Sequence, residues 1–87
     1  MKKYYLNNRE TESFYELLEI KKDLITKALY KVKIPRKLHH EFYNYGLEGL
    51  LVSFLILNEG KIEEKDFDRF AFTTIKRKLI DEIRYRN

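Results

Sequence analysis

Residues 67 to 87, FDRFAFTTIKRKLIDEIRYRN, hold most of the chemistry this chain can offer. Wound as a helix at about 100° per residue, they put Phe67, Ala71, Ile75 and Leu79 on one side. Arg69, Thr73, Lys76, Arg77, Ile80 and Arg84 fall together on another. That second arc carries four cations and no acid, although Asp68, Asp81 and Glu82 lie close by in sequence. Phe72 borders it on one edge and Phe70 on the other. A basic helical face edged by rings suits single-stranded nucleic acid. The cations follow the phosphates, and each ring offers a stacking surface worth about 1–3 kcal/mol per base. An ordinary solvated helix face has the same composition, and Phe67 reads as core from its place on the apolar stripe. Phe70 and Phe72 stay open between ligand and core.

Other chemistry is poorly supported. His39 and His40 are adjacent, so on a helix they diverge by about 100° and cannot share a metal ion. No cysteine completes a site. Glu63, Glu64, Asp66 and Asp68 could suggest magnesium, but acids gather at a helix start because its dipole favours them. There is no glycine-rich phosphate loop and no activated nucleophile. The expectation is a protein with no catalytic residue, no metal and no cofactor. Lys31, Lys33, Arg36 and Lys37 surround Pro35 as a second basic cluster, which either adds phosphate contacts or keeps a turn soluble.

The elements that must position these residues are helical. Ser13 and Glu16 have capping-box spacing, and from there Phe14, Leu17, Leu18, Leu24, Ile25, Ala28, Leu29 and Val32 recur at three- and four-residue steps. Pro35 separates this segment from the next. Leu38, Phe42, Tyr45, Leu50, Leu51, Phe54 and Leu57 form the inner side of a second helix. Gly60 is suited to the left-handed position beyond its end. The reading is a single all-α domain, a small bundle of three main helices at about 13–33, 36–58 and 63–85 after an N-terminal tail, residues 1–12. Eighty-seven residues cannot fill a second core. The net charge of +4 is modest and does not by itself indicate nucleic acid. The start, MKKYYLNNRE, lacks the apolar segment of a signal peptide, and the longest apolar run, LLVSFLIL, is too short to span a bilayer. A cytoplasmic protein without a membrane partner is expected.

Within the second helix, YNYGLEGLL raises a question. Gly46 and Gly49 each cost about 1 kcal/mol relative to alanine in an exposed helix interior. Glycines three apart let another backbone approach where a side chain would hold it off.

The order of signals from Leu38 to Arg84 resembles region 2 of the sigma-70 family, the bacterial RNA polymerase sigma factors. EFYNYGLEGLL has the family's glycine spacing. In FDRFAFTTIKRKLIDEIRYRN, Phe67, Phe70, Ala71, Ile75, Lys76, Asp81 and Arg84 match the family's second motif. With the upstream FYELLEIKKDLITKALYKVKIPRK, the resemblance covers about three quarters of the chain. It implies a module that docks on RNA polymerase core, at the clamp coiled coil of the largest subunit, through Glu41, Asn44, Tyr45, Leu47, Glu48 and Leu51. It further implies that promoter DNA, as the single-stranded non-template strand of the −10 element, meets Phe67, Arg69, Phe70, Phe72, Thr73, Thr74, Lys76, Arg77, Ile80 and Arg84. An anti-sigma factor is a further implied partner. Tyr45 stands where the family has an acid, and Thr73 and Thr74 where housekeeping members have paired tryptophans. The resemblance is therefore to an alternative sigma factor of the competence, sporulation or extracytoplasmic-function type. The chain stops close to where region 2 ends, and an excised domain is expected ahead of the alternative, a short relative with no second DNA-reading domain. Two other classes remain: a helical protein-interaction module that does not touch DNA, and a stand-alone duplex binder, for which a helix–turn–recognition-helix signal is missing.

Overall fold

The computed structural model describes residues 6–87. Three α-helices, α1 (Asn8–Lys31), α2 (His39–Asn58) and α3 (Phe67–Arg86), make an all-α bundle, with no strand among the described residues. α1 begins earlier than the sequence suggested. Asn7 caps it: the Asn7 side chain accepts from the Glu10 N–H at 2.8 Å, and the Asn7 N–H donates to the Glu10 carboxylate at 3.2 Å. Asn7–Glu10 has the same spacing as Ser13–Glu16. Asparagine is an equally strong cap, and nothing between Asn8 and Glu12 opposes a helix. The expected tail thus shrinks: residues 8–12 are helical, and residues 1–5 lie outside the described residues.

Both chain reversals have the same construction. α1 ends in a Schellman turn, with the Lys33 N–H donating to the Tyr30 carbonyl and the Ile34 N–H to the Leu29 carbonyl. α2 ends likewise, the Gly60 N–H donating to Leu57 and the Lys61 N–H to Ile56. The left-handed residue is Lys33 in the first case, at φ 61°, and Gly60 in the second, at φ 74°. For a residue with a Cβ that conformation costs roughly 1–2 kcal/mol. After each turn, one 3₁₀ turn leads into the next helix, Arg36–Leu38 before α2 and Glu64–Asp66 before α3. The sequence reading had merged these turns into the helices.

The core lies where the three helices meet. Ile25, Ala28 and Leu29 come from α1, Phe42, Leu50 and Phe54 from α2, and Phe67, Ala71, Ile75 and Leu79 from α3. The four-residue stripe expected on α3 is buried in full. Ser53 is the one buried polar residue among those described, and its hydroxyl donates to the Gly49 carbonyl at 2.9 Å. The paired glycines now have a reason, and it involves two neighbours. A Cβ on Gly46 would lie 2.5 Å from Ile25 Cγ2 of α1, and one on Gly49 would lie 2.8 Å from the Ile75 Cα of α3. α2 is therefore the central helix, with α1 against one glycine and the backbone of α3 against the other. No helix among the described residues is long and apolar enough to cross a membrane.

Candidate functional site

The outer face of α3 forms a groove of about 380 Å³ lined by Ile62, Asp66, Arg69, Phe70, Thr73, Thr74 and Arg77. Its floor follows from the period of the helix: Arg69, Thr73 and Arg77 lie on the side away from the buried Ala71 and Ile75, with Phe70 and Thr74 at the margin between the two sides. Of the ten residues named for DNA, Arg69, Phe70, Thr73, Thr74 and Arg77 come together here. Phe70 is half-buried and shares the groove with two guanidinium groups. The Arg69 guanidinium is 3.3 Å from the Asp66 carboxylate, so part of its charge is answered within the chain. The Thr74 hydroxyl donates to the Phe70 carbonyl at 2.9 Å, which leaves Thr73 as the groove hydroxyl open to a ligand.

The other candidates are dispersed. Phe67 is only 3 % exposed and belongs to the core, so it cannot receive a base; this corrects its assignment to the DNA face. It opens α3 on the inward side, in register with Ala71. Phe72 is half-buried and packs against the core cluster, with the Lys76 ammonium 4.8 Å above its ring. A cation held over a ring in this way is a stable local arrangement in its own right. Of the two border rings, Phe70 is thus the one that lines the groove. Ile80 is half-buried, and Arg77 and Arg84 are exposed.

A second concavity, about 560 Å³, lies between α1 and α2. All six residues named for polymerase, Glu41, Asn44, Tyr45, Leu47, Glu48 and Leu51, line it. α1 contributes Phe14, Tyr15 and Leu18, and α3 contributes Arg86. The cleft and the groove share no lining residue. The cleft's two acids are engaged inside the fold. The Glu48 carboxylate pairs with the Lys78 ammonium at 3.3 Å, and the Glu41 carboxylate with the Arg86 guanidinium at 3.3 Å. What the cleft offers outward is mainly apolar and aromatic: Phe14, Leu18, Tyr45, Leu47 and Leu51, with Tyr15 63 % exposed.

Arg86 was missed from the sequence. Its guanidinium stands 4.5 Å from the Phe42 ring centre and 6.0 Å from that of Tyr45, and it also reaches Glu82 at 3.7 Å. The Glu41 and Tyr45 side chains push its pKa further up, so it is charged at any accessible pH. The i,i+4 spacing to Glu82 was visible in the chain. The reach to Glu41, on another helix, was not.

The histidines behave differently from each other. The His39 Nε2–H donates to the Ile34 carbonyl at 2.8 Å, and the ring meets Tyr30 edge-on with centroids 4.8 Å apart, so His39 ties the α1–α2 connection together. His40 is exposed. No group of three or more His, Cys, Asp or Glu converges into a metal-binding cluster among the described residues. The chain was compared with protein-family models, with curated proteins and with solved structures, and none of these matches it.

Proposed function

We propose that this chain is a region 2-like module of an alternative sigma factor, with the α1–α2 cleft docking on RNA polymerase core and the outer face of α3 engaging single-stranded −10 promoter DNA. One observation carries the reading. The residues that the motif assigns to the polymerase line a single cleft, and half of those that it assigns to DNA line a separate groove. A module that bridges a protein and a nucleic acid needs two such faces. The comparisons with known proteins add no support; the residue pattern and this partition are what stand behind it.

In this reading docking is driven by apolar and aromatic contact, because Glu41 and Glu48 already have partners. Rings in desolvated pockets are the usual anchors of such interfaces. On the DNA side, Phe70 stacks on an extruded base, Thr73 supplies a hydrogen-bonding edge, and Arg77 takes a phosphate. Extrusion costs a few kcal/mol of unstacking, which stacking on the ring offsets.

The test has two arms. The chain is first titrated with polymerase core, expecting saturable binding that Tyr15→Ala weakens. Phe70→Ala and Arg77→Gln are then measured on a labelled −10-like single strand, each expected to weaken binding about 5- to 30-fold. Arg77→Gln should also lower the salt slope by about 0.7, one phosphate's worth on a single strand. Folded variants that bind the strand as wild type does would remove the DNA face. If core binding survived that loss, the second reading, a protein-interaction module that never touches DNA, would take its place. The aromatic lining of the cleft is the observation that favours this alternative.

A further inference from the structure

The groove accounts for only part of the molecule's free positive charge. Among the described residues, Lys76, Arg77 and Arg84 of α3 enter no ion pair, and neither do Lys31, Lys33, Arg36 and Lys37 at the α1–α2 connection. The connection lies beside the last turn of α3, with Lys33 as the cation that faces it. A concavity of about 310 Å³ is walled by Lys33 and Pro35 on one side and by Ile83, Arg86 and Asn87 on the other. The basic line of α3 runs from Arg69 to Arg84 over about 22 Å, at about 1.5 Å per residue, and ends one residue past Ile83, which walls that concavity. Of the acids at this end, Glu41 and Glu82 are held by Arg86, which leaves Asp81 beside the line. The opposite end of the groove meets Asp66, which pairs with Arg69; in the preceding loop Glu59 and Glu63 pair with Lys61 and Lys65, and Glu64 enters no ion pair among the described residues. Among these residues the loop end offers no free cation and one unpaired acid, so a polyanion lying along α3 is drawn toward the connection.

Lys33 adds an independent observation. It occupies the left-handed position of its turn at φ 61°, where the matching turn after α2 has Gly60. Glycine is the residue that this geometry favours. Lys33 is exposed, so packing does not demand its side chain. The carbonyl end of α1 welcomes a cation, but Lys31 already stands in that last turn. A strained residue kept against the better local choice points to a use for its side chain.

We infer that Lys33, Arg36 and Lys37 form a second phosphate-contact site, which receives the backbone of a single strand after it leaves α3. This rests on the reading of α3 as a nucleic-acid face and gives the bound strand a direction. The strand's bases are handled near Phe70, and its phosphates continue past Lys76 and Arg84 to the connection.

Labelled oligothymidylates of about 5 and about 15 nucleotides bracket the lengths that small folds engage. Lys33→Gly/Arg36→Gln/Lys37→Gln is expected to bind the shorter strand as wild type does. On the longer strand it should lose roughly 10- to 100-fold near 0.1 M salt and flatten the salt slope by about 2, at 0.7 per phosphate. Lys33→Gly alone should lose about 3- to 5-fold on the longer strand while raising the unfolding midpoint by roughly 2–6 °C. Lys33→Arg should keep the affinity. If the triple variant retains wild-type affinity and slope on the longer strand while Arg77→Gln weakens both strands, the second site is wrong and the α3 face stands. If wild type binds neither strand, both fall. A lower midpoint for Lys33→Gly would show that the lysine serves the turn and would also overturn the assignment.

Discussion

The two connections of this bundle are built on one plan and held in opposite ways. Each is a Schellman turn followed by a 3₁₀ turn into the next helix. In the first, the residue after the left-handed position is Ile34, buried at 5 % exposure, and His39 clamps its carbonyl. In the second, the corresponding residue is Lys61, exposed, and the loop is edged by ion pairs on the surface: Lys61–Glu59 at 2.8 Å, Lys65–Glu63 and Arg69–Asp66 at 3.3 Å. Exposed pairs of this kind contribute little to stability. The first connection is pinned to the core and so tolerates a left-handed lysine. The second has no anchor at the matching position and uses glycine, with nothing within 4 Å of where a Cβ would stand. The first is basic and the second acidic, so the same geometry presents opposite charge at the two ends of the bundle.

The contrast can be broken at the anchor first. Ile34→Ala should lose about 2–4 kcal/mol in urea unfolding, as deletion of a buried aliphatic does. A loss under about 1 kcal/mol would mean that Ile34 does not pin the turn. Gly60→Ala comes next, costing about 1–2 kcal/mol from backbone conformation alone. Gly60→Asn should cost less, because asparagine tolerates the left-handed region. His39→Ala should cost about 1 kcal/mol through the lost hydrogen bond to Ile34, and His39→Gln should recover part of it. Lys33→Gly should move the other way and gain about 0.5–1 kcal/mol. The smallest effect is Lys61→Ala, which should leave the unfolding midpoint where it is despite the 2.8 Å pair with Glu59. A clear drop there would show that the acidic connection is also held by its charges.

Much of the fold could be read from the chain. Gly60 was expected in the left-handed position and is there. The stripe Phe67, Ala71, Ile75 and Leu79 was expected to be core and is buried. Both are local properties: one follows from the φ range that glycine alone adopts freely, the other from the period of a helix with one wet side. The start of α1 was misplaced because two sites, Asn7–Glu10 and Ser13–Glu16, carry the same capping signal, and spacing alone does not rank them.

The candidate sites were legible to a smaller degree. Spacing sets the direction in which a residue leaves its own helix, and so the arc from Arg69 to Arg84 was visible along with its bordering rings. It says nothing of what stands opposite. Only the packed bundle shows that Phe72 lies on the core beneath Lys76 while Phe70 opens into a groove. Only the bundle joins Glu48 to Lys78 and Glu41 to Arg86 across helices, which leaves the cleft mainly apolar and aromatic. Gly46 and Gly49 show the division most clearly. The chain announces that something must come close, and the arrangement of three helices decides that Ile25 meets one glycine and the backbone of Ile75 the other.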